Sequence, residues 1–137
     1  MILLDTNVIS EPLRPRPSQK VLAWLVEHDA ELALSSVAIA EVAYGIEKIR
    51  PEQRAARLAE GLDEWRARFT DRIFSFTEDA ALAYGELMGR AARAGRTRTV
   101  QDGMIAAIAR VKGVAIATRN IADFEGLGID LVDPWNN

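Results

Sequence analysis

Residues 1–12, MILLDTNVISEP, decide how the rest of the chain is read. Three aliphatic residues, Ile2, Leu3 and Leu4, run straight into Asp5-Thr6-Asn7. A buried strand that ends on a carboxylate and two small polar residues has two readings. Asp, Thr and Asn are ordinary turn and helix-cap residues. They also stand where a parallel sheet presents functional groups, outside the carboxyl ends of its strands.

Working outward, the pattern of the first strand recurs. Aliphatic runs at 1–4, 31–34, 72–75, 113–117 and 129–132 lack alternation with charged residues and read as strands buried on both faces. Helix-patterned segments separate them. Ser18 caps one to about His28, and Ser35 or Ser36 caps a second to about Ile49. Pro51 suits the start of a third, to about Phe69. Thr77 precedes a fourth from Glu78 to Ala94, and a fifth runs from Val100 to Lys112, ended by Gly113. Pro12, Pro15 and Pro17 mark one rigid loop. This alternation predicts a three-layer α/β domain with a mostly parallel sheet.

The totals set limits. With 137 residues, one domain spanning 1–137 is expected, large enough for a sizeable core. There is no uninterrupted apolar run of membrane-spanning length and no leader pattern at the N-terminus, so the cytoplasm is the expected location. Cysteine is absent, which excludes a disulfide framework and thiolate metal sites. A net charge of −3 argues against coating nucleic acid by bulk positive charge. Local patches remain open. Arg90, Arg93, Arg96 and Arg98 cluster without an acid between them, as a phosphate-contacting patch or as a solvated helix end.

The polar residues at the predicted strand ends are Asp5-Thr6-Asn7, Ser35-Ser36 and Thr118-Arg119-Asn120, with Asp123 one turn on. Glu41 lies off the stripe of Ile39, Val42, Ala43, Ile46 and Ile49. Its own side holds Val37, Ala38, Tyr44 and Gly45, so that face reads as covered and the carboxylate needs a partner or a cation. Asp102 follows Thr99 by three residues, as in a capping box. Singly, each acid has an ordinary structural role. If the first and fourth strands are neighbours, Asp5, Glu41 and Asp102 can converge on one cleft. Converging carboxylates call for a hard cation, Mg2+ or Mn2+, which polarises a phosphodiester and activates water. His28 is the sole histidine and sits in a solvent-facing helical stretch, which removes imidazole chemistry.

MILLDTNVISEPLRP, SSVAIAEVAYGI, DGMIAAIA, VAIATRNIADF and the closing DPW together resemble PIN-domain ribonucleases, in particular VapC toxins of the FitB-like branch, over essentially the full length. The resemblance implies a five-stranded parallel sheet of order 3-2-1-4-5 and a Mg2+-dependent ribonuclease. It also implies silencing by a small DNA-binding antitoxin of VapB or FitA type, which inserts a basic residue into the site. Carried over residue by residue, Asp5, Glu41 and Asp102 form the acidic centre, with Thr6, Asn7 and Thr118 in support. One departure matters. Many relatives have a fourth acid where this chain has Asn120, so either Asp123 substitutes or Asn120 contributes its carbonyl oxygen. Two other readings stay on the table. A dehalogenase-type phosphatase would use Asp5 as nucleophile, but Asn7 replaces its second acid. A catalytically weak PIN-like module would only bind an antitoxin or RNA. Apolar stretches at 42–49 and 80–88 suggest a homodimer or a higher assembly with the antitoxin.

Overall fold

The structure, a computed structural model, describes residues 1–136; Asn137, the last residue of the expected domain, lies outside them. The strands are β1 (Ile2–Leu4), β2 (Leu32–Ser35), β3 (Ile73–Phe74), β4 (Ala115–Ala117) and β5 (Leu131–Val132). All pairings are parallel, and the order is β3-β2-β1-β4-β5, as the resemblance implied. The helices are α1 (Thr6–Ser10), α2 (Gln19–Glu27), α3 (Ser36–Lys48), α4 (Gln53–Arg68), α5 (Glu78–Arg93) and α6 (Val100–Lys112).

Period-two alternation along three short strands builds both cores. Leu3, Ala33 and Ile116 face one side, where they pack with Leu87 of α5 and Ile105 and Ile108 of α6. Leu4, Leu34 and Ala117 face the other, where they meet Val8, Trp24, Val42 and Trp65 from α1 to α4. Trp65 Nε1 also donates to Ile9 O at 3.1 Å, so α4 is fastened over α1. The three-layer α/β/α expectation holds. Among the described residues no helix is long and apolar enough to cross a membrane.

The helix caps follow the sequence. Ser18, Ser35, Thr77 and Thr99 each accept a backbone N–H from the first turn of their helix. Gly113 ends α6 at φ +67°, a conformation that favours glycine. Gly103 serves a different need. A Cβ there would lie 2.6 Å from Met88 Sδ, so the missing side chain lets α5 close on α6 beside Asp102.

Four expectations need correction. The edge strands β3 and β5 are only half-buried, because each has a neighbour on one side alone. The helix expected from Pro51 starts at Gln53, since Glu52 N–H closes a turn onto Ile49 O at 2.9 Å with Pro51 inside it. Ala43, placed on the apolar stripe of α3, is exposed; Val37, Ala38, Val42 and Ile46 are the buried residues. Helix α1, too short to show a period, begins at once after Asp5.

Candidate active site

Asp5 is where β1 stops and α1 starts. Its N–H still belongs to the sheet and donates to Ala117 O of β4 at 2.9 Å. Its side chain already caps the helix, with Oδ1 accepting Thr6 N–H at 2.8 Å. Oδ2 accepts from Thr118 Oγ1 at 2.8 Å and from Asn7 Nδ2 at 3.2 Å. Thr118, fully buried at the end of β4, accepts Asn120 N–H in turn, and Asn7 Oδ1 accepts Arg119 N–H. The adjacency of β1 and β4 therefore draws both polar strand ends into one network. The carboxyl of Asp5 is 5% exposed, and burial raises its pKa against the three donors that lower it.

Glu41 and Asp102 join it from other elements. Glu41 is in the second turn of α3, which follows β2; Asp102 is in the first turn of α6, its N–H donating to Thr99 Oγ1 at 3.1 Å. Both have raised pKa values, first through burial and then through the charges of Asp5 and of each other or Asp123. Thr99 and the Arg98 guanidinium pull Asp102 partly back. The hydroxyl of Thr6 lies beside Glu41 and favours its charged form, yet in no aligned hydrogen bond: Thr6 Oγ1 and Glu41 Oε1 are both buried without a partner. Among the described residues the acids do not stand gathered as a closed metal cage. They are electrostatic neighbours with all-oxygen donors and one orphaned carboxylate oxygen, a set that suits a hard divalent cation.

At the fourth position the two alternatives separate. Asp123 ends a short turn at 121–123, and its charge acts on both Asp5 and Asp102. Asn120 is exposed and enters the network through its main-chain N–H. His28 ends α2, stacked on Trp24 at 4.8 Å and paired with Glu31 at 2.7 Å, and takes no part in the acid cluster.

The face of Glu41 expected to be covered is open. A cleft of about 710 Å³ lined by Ser36, Tyr44, Phe76 and Met104 reaches Glu41 from one side, and Tyr44 is 69% exposed. A second, of about 380 Å³, reaches Thr6 and Glu41 from the other side, past Arg14, Arg54 and Arg57. Sequence reasoning missed these flanking residues. Arg14 follows a proline loop and Arg54 and Arg57 sit on a polar helix, so no period or motif marks them.

Residues 2–127 match the family model described as PIN domain. The chain is 36% identical to the VapC ribonuclease Y4jK of Sinorhizobium fredii over 137 residues, 98% of each chain. It is also 36% identical to Toxin FitB of Neisseria gonorrhoeae over 139 residues, 100% of each. Among solved structures, FitAB bound to the IR36 DNA fragment superposes with a TM-score of 0.90 at 36% identity, covering 98% of this chain and 96% of that one.

Proposed function

Since the chain belongs to the PIN domain family, we propose that it is a divalent-metal-dependent endoribonuclease and the toxin half of a toxin–antitoxin pair. The observation that carries this reading is the mutual electrostatic strain of Asp5, Glu41 and Asp102, reached from three different elements. Relatives of matching length are named as a VapC ribonuclease and a toxin.

Asp5, Glu41 and Asp102, with Asp123 as the fourth, are the residues that would hold Mg2+, or Mn2+ in its place. Such an ion supplies Lewis acidity toward a phosphodiester oxygen and lowers the pKa of water. The chain does the rest. Thr6, Asn7 and Thr118 fix both oxygens of Asp5, so its carboxylate enters the site at a set angle. Thr99 fixes the first turn of α6 and hence the place of Asp102. Glu41 Oε1 is the acceptor left open, to a cation or to a proton. Three donors on one carboxylate suit holding better than attack, which disfavours an aspartyl-phosphate on Asp5.

The partner we assign is a small DNA-binding antitoxin, in keeping with the FitAB assembly solved on DNA. A Lys or Arg from it, set among the acids, would satisfy the same orphaned oxygen, and Arg can pair two carboxylates at once. Tyr44 and Leu82, 69% and 70% exposed on α3 and α5, fit a second copy of the chain at the apolar stretches named above. The test is to purify the free protein and sequence the RNA ends it creates with Mg2+ and with EDTA. Discrete new ends that need the metal are expected. Ends independent of metal would remove the assignment, and binding of RNA or antitoxin without cleavage would leave a binding module.

A further inference from the structure

The arginine-rich segment has a structure of its own. Arg90, Arg96, Arg98 and Arg110 line a cleft of about 460 Å³ with Gly126 and Gly128; Arg93 does not line it. Two helices and a glycine turn build it. Arg90 comes from the last turn of α5 and Arg110 from the last turn of α6. A single oxygen, Glu86 Oε1, accepts from Arg90 Nη2 at 3.0 Å and Arg110 Nη2 at 3.2 Å, aligning the two forks while neutralising one of them. Arg98 donates to the carbonyls of Ala122 and Glu125, leaving its charge without a carboxylate in this contact, and its Nε is buried without a partner. Gly126, at φ +81°, has no Cβ where the Arg96 guanidinium lies, so the arginine rests directly on backbone.

The charges here contrast with the other arginines. Arg14, Arg50, Arg54, Arg66 and Arg68 each pair with a carboxylate. In the cleft four cations share Glu86. The position is equally informative. Arg98 precedes the cap of α6 and grips the turn that ends at Asp123, so the cleft borders the acid centre. The field of Arg98 reaches Asp102. An acidic protein, net −3, must bring a polyanion against three carboxylates. Without a local cation strip that approach is repulsive.

We propose that this arginine-lined cleft binds a backbone phosphate of the RNA strand and holds it beside the acid centre. The inference rests on the ribonuclease reading and names a substrate contact for it. Guanidinium forks match phosphate oxygens in pairs, and a phosphate group binds whatever base it carries. The cleft therefore sets affinity and register, with base choice left to other surfaces.

The experiment measures binding of a labelled single-stranded RNA dodecamer across a KCl series, in the Asp102→Asn background so that nothing is cut. Arg90→Ala/Arg96→Ala should weaken binding about tenfold and flatten the log–log salt slope by about 1.4, at about 0.7 per phosphate contact on a single strand. Arg50→Ala/Arg66→Ala, which removes equal charge from exposed pairs elsewhere, should leave the slope unchanged. Glu86→Gln should move the other way and tighten binding severalfold, which no folding defect would mimic. Equal loss from both double variants would overturn the cleft in favour of overall charge. Unchanged binding in the cleft variant, while wild type still cuts RNA, would overturn the cleft and spare the ribonuclease reading. Loss of antitoxin binding alone would assign the cleft to an acidic protein segment instead. Wild type that neither binds nor cuts RNA would overturn both.

Discussion

Helix α6 carries two charged regions of opposite sign, Asp102 of the acid centre in its first turn and Arg110 of the arginine cleft in its last. Both ends suit the helix dipole. The regions differ in how their charges are answered. In the cleft, Glu86 pairs two of the four arginines and backbone carbonyls occupy a third. In the acid centre the carboxylates are answered by Thr118, Asn7, Thr99 and main-chain N–H groups, and one oxygen of Glu41 by nothing. Half-paired cations on the surface suit reversible binding of phosphate. Acids crowded together with raised pKa values store repulsion that a cation can relieve.

The largest expected effect breaks the acid centre. Asp5→Asn and Asp102→Asn should each lower Mg2+-dependent RNA cleavage by about a thousandfold or more, since losing about 4 kcal/mol of transition-state stabilisation has that effect. Circular dichroism should show both variants folded. Cleavage within a fewfold of wild type in either would separate the acids from the chemistry.

A smaller loss should follow from the support. Thr118→Val keeps the shape but removes the 2.8 Å hydrogen bond to Asp5 Oδ2 and the acceptor for Asn120 N–H. Cleavage should fall about ten- to a hundredfold, the usual range for partners that orient ligands. Little change would mean that Thr6 and Asn7 suffice to set Asp5.

The fourth position can be sharpened by a pair of variants. Asp123→Asn should lower cleavage about tenfold, at the low end of that range, while Asn120→Ala should change it less. The reverse order would hand the position to the Asn120 side chain.

The smallest effect is on stability in the absence of metal. Asp5, Glu41 and Asp102 all have raised pKa values in the folded chain. The folded state therefore binds more protons than the unfolded state across that window, and stability present below the ordinary carboxylate range is lost as pH rises through the raised values. Asp102→Asn removes one such group. Its Tm in EDTA should match wild type at low pH and exceed it by a few degrees at neutral pH, a gain reduced by solvent screening of this partly exposed carboxylate. A Tm difference that stays constant with pH would place Asp102 outside the repulsive cluster.

Much of the fold was legible because it rests on local rules. Caps at Ser18, Ser35, Thr77 and Thr99 and the αL glycine at Gly113 are short-range chemistry, and all five strands lie within their expected segments. What escaped depends on packing. The start of α4 was masked by a turn through Pro51, and Ala43 was misplaced because residue type alone cannot say which apolar positions of α3 face the sheet. In the site, Asp5, Glu41 and Asp102 were nominated by their places at strand ends. The open clefts beside Glu41 were not, because Tyr44 looks like a core residue until the fold leaves it uncovered. The arginine cleft was half legible: the run 90–98 was visible, whereas Arg110 and Glu86 join it only through the packing of α6 on α5.

The central claim is that Asp5, Glu41 and Asp102 share one divalent cation, and calorimetric titration of Mn2+ into the free protein tests it most directly. Wild type should bind the ion with a defined stoichiometry, and Asp102→Asn should bind it at least about tenfold more weakly, since even an orienting partner is worth that much. Mn2+ binding of equal strength in the variant, or none in the folded wild type, would contradict the account.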